Sequence, residues 1–222
     1  MRSFLGAALV GVVLVGTALA ANGEPQKRFR GDDQAWARAI VLHAADLPGW
    51  RAGPQAHSTS GSLRCRGFFT PDESDLVVTG ETDSRQFARP GMFVAASSSV
   101  YRRPADALAS WKRNVRPALA RCLGQRYETE SSPGVTVRVM RWGRLPFAKL
   151  TQRTAAFRIV AAFSGNGRTL VATSDLILLS RGRADCAIVL LSTMRRFPSA
   201  VELRVARLVA GRLVAPPRRH GA

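Results

Sequence analysis

Lysine is almost missing from this chain: it occurs at positions 27, 112 and 149 and nowhere else. Histidine is equally scarce, at His43, His57 and His220. No H-E-x-x-H or H-x-x-E-H spacing exists, which removes the usual zinc-hydrolase readings. No G-x-S-x-G is present either, so the strand-turn-helix serine nucleophile has no candidate. Acidic residues number 15 against 33 basic ones. The one acidic run, Asp72, Glu73, Asp75, Glu81 and Asp83, lacks the ligand spacing of an EF-hand and reads as a solvated loop. His43 reads as a packed or surface residue of a helix. No catalytic residues, metal site or cofactor are expected from these patterns.

Arg2 is the one charge in the first 20 residues, and Phe4 to Val15 is apolar apart from small residues. Thr17-Ala18-Leu19-Ala20 places small residues before a cut after Ala20. A positive start, a short apolar stretch and an A-x-A site read as a secretory signal peptide over 1–20. The alternative is an uncleaved N-terminal anchor. No second long apolar run follows. The basic segment 21–33 reads as a flexible leader, 34–214 as one domain able to bury its own core, and 215–222 as a disordered tail. The expected compartment is outside the cytoplasm.

The formal net charge is +18, nearly all of it arginine. On an exported chain, such a charge points to anionic headgroups or acidic wall polymers and away from nucleic acid. A GC-rich coding bias gives the same composition, and no block of five arginines occurs. The three cysteines, Cys65, Cys122 and Cys186, allow one bridge. Cys186 sits in the apolar run Ala187-Ile188-Val189-Leu190-Leu191 and reads as a small buried hydrophobe. That leaves Cys65–Cys122, or else three thiols.

Asp32 and Asp33 are good caps for a helix over 34–45, which Pro48 and Gly49 end. Residues 51–75 read as a long loop. Short strands are expected at 76–80 and 92–101, with 87–91 irregular. Pro104 opens an amphipathic helix that Pro117 should kink or split. Three or four strands follow, at 135–142, 154–164, 168–180 and 184–193. Gly165-Asn166-Gly167 is a strong hairpin signal between the second and third. A last helix starts near Ser199, with Glu202 completing a capping box. The order gives an α+β fold: one domain, an antiparallel sheet with helices packed on it.

The run Ala44-Ala45-Asp46-Leu47-Pro48-Gly49-Trp50 resembles the "A-D-L-P-G-W" opening of exported actinobacterial sensor-domain proteins, similar to the extracellular domain of PknH-like receptor kinases. Cys65 before Leu76-Val77-Val78-Thr79-Gly80, the Ser99-Val100-Tyr101-Arg102 strand end, the Ala107/Trp111 spacing and Leu119-Ala120-Arg121-Cys122-Leu123 come in the same order. A PsbP-like sheet-and-helix fold is the broader analogy. The resemblance implies a sensing or ligand-binding domain without catalysis. Two departures stand out: the sequence holds no kinase domain, and an odd cysteine count leaves a two-bridge pattern incomplete.

A groove between sheet and helix is the expected site. Trp50, Phe68, Phe69, Trp111, Trp142 and Phe147 are candidate liners, most of them better read as core. Phe68 and Phe69 stand out, because adjacent aromatics in a loop do not both point into one core. Arg64 and Arg66 beside them suit an anionic group. The expected ligand-binding set is Phe68, Phe69, Arg64, Arg66 and Trp111. The expected partner is an amphipathic or anionic small molecule, a lipid or an envelope protein. The alternative function is a charge-held structural or adhesive protein touching anionic lipid or wall polymer, with peripheral membrane contact.

Overall fold

A computed structural model describes residues 23–56, 64–65, 68–69, 71–129, 134–193 and 196–214, with backbone alone at 64–65, 68–69, 126–127 and 129. The expected leader cleavage site, His57, Arg66 and the tail after 214 lie outside the described residues. Among the described residues there are eleven strands: β1 Gln26–Lys27, β2 Arg51–Gln55, β3 Arg64–Cys65, β4 Phe68–Phe69, β5 Val77–Asp83, β6 Arg85–Arg89, β7 Met92–Tyr101, β8 Thr136–Arg144, β9 Arg153–Gly165, β10 Arg168–Arg181 and β11 Ala184–Ser192. The helices are α1 Gly31–Ile40, α2 Pro104–Asn114, α3 Ala118–Thr129 and α4 Ser199–Arg212.

Nine strands make one sheet in the order β1-β5-β7-β11-β10-β9-β8, with β6 bridging β7 to β2. All pairings are antiparallel except β1 with β5. The fold is therefore α+β, as the element order implies. Asn166 (φ 52°) and Gly167 (φ 70°) close the β9–β10 hairpin. Two positive φ values in a two-residue loop match the strand twist, which is why Asn-Gly sits there.

Strand alternation divides the side chains between two cores. Cys186, Ile188 and Leu190 of β11 and Ile177 and Leu179 of β10 face α1 and α4. Ala187, Val189 and Leu191, with Leu176 and Leu178, face α2 and α3. Helices on both faces explain why β10 and β11 are apolar almost throughout. Each fully buried Leu or Ile contributes about 1.5–3 kcal/mol. Pro117 does split the helix it interrupts, into α2 and α3.

The structure corrects several expectations. Part of the segment read as a flexible leader is tied down: Gln26 and Lys27 pair with Val77 and Val78, and α1 starts at Gly31. Asp32 and Asp33 lie within the first turn of α1 and not at its cap, where they still suit the helix dipole. The helix ends at Ile40, not Ala45, because Val41 and Leu42 extend to bury their own side chains. The long loop 51–75 contains β2 and the β3–β4 hairpin, and 87–91 falls partly in β6. Ser199 caps nothing: Pro198 is at the cap, and Glu202 turns into the sheet.

Gln34 of α1 locks onto β5, its amide donating to the Glu81 carbonyl and accepting from the Glu81 N–H, both at 2.8 Å. The helix comes so close that a Cβ on Gly80 would stand 2.3 Å from the Asp33 carbonyl oxygen. Gly80→Ala is therefore expected to cost about 2–3 kcal/mol by overpacking, read as a lower midpoint in chemical denaturation. A variant as stable as the parent would show that α1 does not rest on β5 there.

Candidate functional site

The Ala44–Trp50 run is built as a structural joint. Residues 44–46 form a 3₁₀ turn, and the His43 N–H donates to Asp46 Oδ2 at 2.7 Å. Arg212, at the end of α4, donates to both Asp46 carboxylate oxygens (2.8 and 2.6 Å) and to the Val41 carbonyl (2.9 Å). Burial works against the Asp46 anion, yet Arg212 and the His43 N–H hold its pKa below the ordinary value. Leu47 is buried, Gly49 turns the chain at φ 78°, and Trp50 stacks on Phe197 with ring centroids 6.1 Å apart.

Beside this joint lies an open cleft of ≈ 600 Å³, lined by Trp36, Leu150, Thr151, Gln152, Arg181, Gly182, Leu213 and Val214. Its size falls in the range of small-molecule sites. Trp36 is 5 % exposed, and its indole N–H donates to the Arg212 carbonyl at 3.2 Å. The Arg183 guanidinium stands 5.5 Å from the Trp36 ring and grips Asp33 at 2.9 and 3.2 Å. Trp36 is thus fixed in position and orientation. At the mouth, the Gln152 side-chain oxygen accepts from the Gly182 N–H and from Arg153. Arg181 is exposed and has no ion-pair partner among the described residues. Among the described residues, the cleft offers apolar walls and, in Arg181, a cation without an ion-pair partner at its rim.

Farther along the same face is a buried polar cluster. Arg158 of β9 pairs with its cross-strand neighbour Asp175 of β10 at 2.5 and 2.6 Å, and reaches Glu202 of α4 at 3.4 Å. One guanidinium faces two buried carboxyls. Burial, then the hydrogen bond and charge of Asp175, push the Glu202 carboxyl up to about 8 against the pull of Arg158. On the opposite face, burial raises the Asp185 carboxyl to about 7 although the Ser180 hydroxyl donates to it.

None of the expected site residues is among the described lining of the cleft. Trp111 is half-buried and packs against the core beneath α2 and α3. Arg64, Cys65, Phe68 and Phe69 form the β3–β4 hairpin against α3, and their side chains lie outside the described residues. Trp50 and Phe147 lie on the α1/α4 face, whereas Trp142 lies near α3 with Arg121 5.2 Å from its ring. The acidic run is not simply a solvated loop. Glu73 is buried and accepts from Asn114, and Asp75 pairs with Arg113, so the run docks α2. His43 is exposed and follows α1 instead of lying within it. No group of three or more His, Cys, Asp or Glu among the described residues could hold a metal.

The raised carboxyls have a signed consequence. Between the ordinary glutamate value of 4.5 and about 8, folded Glu202 keeps a proton that the unfolded chain has lost. Raising pH through that window therefore favours unfolding. Asp185 acts in the same direction up to about 7. Asp33 and Asp46 are lowered, so they contribute stability above the ordinary carboxylate range that is lost in acid. The melting temperature should peak in mild acid and decline toward pH 9. Glu202→Gln should shallow that decline and end it near pH 7. An unchanged slope would show that Glu202 is ionised in the folded chain.

No protein-family model matches this chain. No curated protein matches it. Among solved structures, the chain is similar to the extracellular domain of PknH from Mycobacterium tuberculosis, with 8 % identity, 81 % of this chain and 95 % of that one covered, and a TM-score of 0.44. At that level the likeness is a weak structural similarity.

Proposed function

We propose that this protein is a non-enzymatic binding or sensor-type domain that works outside the cytoplasm and holds an amphipathic or anionic small molecule in the Trp36 cleft. The cleft itself carries the reading: Trp36, Leu150, Leu213 and Val214 supply apolar walls, and Arg181 supplies at the rim a cation with no ion-pair partner among the described residues. An apolar body would be desolvated against Trp36 while an acidic end meets Arg181, the usual division of labour in such sites. The leader pattern supports export. No helix among the described residues is long and apolar enough to cross a membrane.

A Cys65–Cys122 bridge belongs to the same reading. Cys186 is free and buried, and burial raises its thiol pKa far above the ordinary value. The α3 helix that carries Cys122 packs on the hairpin that carries Cys65. Such a bridge would close a loop of about 57 residues and contribute about 2–4 kcal/mol.

Native mass spectrometry of protein collected from the exported fraction tests the cleft. A retained mass that leaves on denaturation is expected, and Val214→Trp, which fills the rim without removing a core contact, should abolish it. Retention undiminished in Val214→Trp would place the ligand elsewhere; no retained mass from either protein would remove the support for a resident ligand. In the denatured spectra, reduction should add two hydrogens if the bridge is present.

A further inference from the structure

Among the described residues, the sheet ends at β8, which pairs with β9 alone. Exposed large apolar side chains gather at this end. Met140 is 54 % exposed, Trp142 43 % and Val171 46 %, half of the six such residues among those described. Cations alternate with them. Arg138 and Arg141 are exposed, and no carboxylate pairs with either among the described residues. The register puts Arg138, Ala162 and Val171 in one row across β8, β9 and β10, and Arg141 and Val160 in the next. Met140 sits at the irregularity between Val139 and Arg141. Trp142 emerges on the other face, with the Arg121 guanidinium at 5.2 Å. An apolar and cationic rim thus wraps both faces of one edge.

We infer that this β8 edge is a docking surface for an anionic lipid bilayer. Two other occupants of an exposed edge fit less well. A second strand would need free backbone groups along β8, but the Val139 N–H is already taken by Glu128 Oε1 at 2.8 Å. Arginines along an edge also discourage strand addition. A hydrophilic polyanion would satisfy the arginines and leave Met140 and Val171 in water. A bilayer satisfies both chemistries: phosphate headgroups meet Arg138 and Arg141, the Trp142 ring sits at headgroup depth, and Met140 enters the acyl boundary. The surface is separate from the Trp36 cleft, whose mouth lies by the β10–β11 turn at the opposite end of β9 and β10.

The test is sedimentation with phosphatidylcholine vesicles, with and without phosphatidylglycerol, using exported protein so that every variant carries the same N-terminus. Binding should require phosphatidylglycerol and weaken with added salt. Arg138→Glu combined with Arg141→Glu should weaken it by about tenfold or more. Arg138→Lys with Arg141→Lys should keep it, which separates charge from misfolding. Met140→Ser should weaken binding severalfold without changing its salt dependence. Arg38→Glu with Arg51→Glu, an equal charge change away from β8, should alter it less than about twofold. Equal losses from both Glu pairs would overturn the proposal in favour of net charge. Binding to a soluble polyglycerol phosphate but not to the vesicles would overturn it in favour of a wall polymer.

Discussion

One guanidinium holds the α1/α4 face together. Arg212 pairs with Asp46 and the Val41 carbonyl, while its own carbonyl accepts the Trp36 indole N–H. The first and last helices of the described chain are thereby fixed to each other over the sheet. Trp36 and Leu213, which this pairing brings together, line one side of the cleft, and the Asp46 turn anchors Arg212 behind them. A part-buried pair of this kind is expensive to break, because the surviving charge is left without its partner. The Ala44–Trp50 run is best understood in these terms. Its aspartate receives Arg212, its leucine fills the core, its glycine turns the chain, and its tryptophan stacks on Phe197.

The same use of arginine recurs across the sheet and accounts for part of the basic composition. Arg183 holds Asp33 and stands beside Trp36, Arg158 serves Asp175 and Glu202, Arg113 holds Asp75, and Arg153 donates to Ser180. Arginine suits these places because its planar fork gives paired hydrogen bonds that an ammonium does not. Arg181 at the cleft and Arg138 and Arg141 on β8 are different, being exposed without acidic partners among the described residues. In the proposed reading, the functional meaning of the charge rests on these few positions and not on the total.

Much of the fold was legible because it is locally encoded. The Asn166-Gly167 turn, the alternation in β8 and β9, the continuous apolar runs of β10 and β11 and the break at Pro117 all follow from short-range rules. The misreadings came from contacts made far along the chain. Gln26 and Lys27 look like a solvated leader until Val77 and Val78 are beside them, and Glu202 looks like a capping residue until Arg158 lies beneath it. The cleft was illegible for the same reason. Trp36 lies near the start of the chain, Arg181-Gly182 in the β10–β11 turn and Leu213 at the end of α4, and nothing local brings the three together. The exposed Trp142 read as core because no sequence rule marks β8 as the last strand of the sheet.

The central claim is that the Trp36 cleft is the binding site and that its aromatic wall and cationic rim act together. The most direct measurement is a two-dimensional ¹H–¹⁵N spectrum recorded while a single-chain anionic amphiphile such as laurate is added below its micelle concentration. The account predicts that the Trp36 indole N–H moves together with the Gln152, Arg181 and Gly182 amides, saturably, and at lower laurate concentration than any β8 amide. Movement confined to β8 or to the β3–β4 hairpin, with the Trp36 indole unaffected, would contradict it.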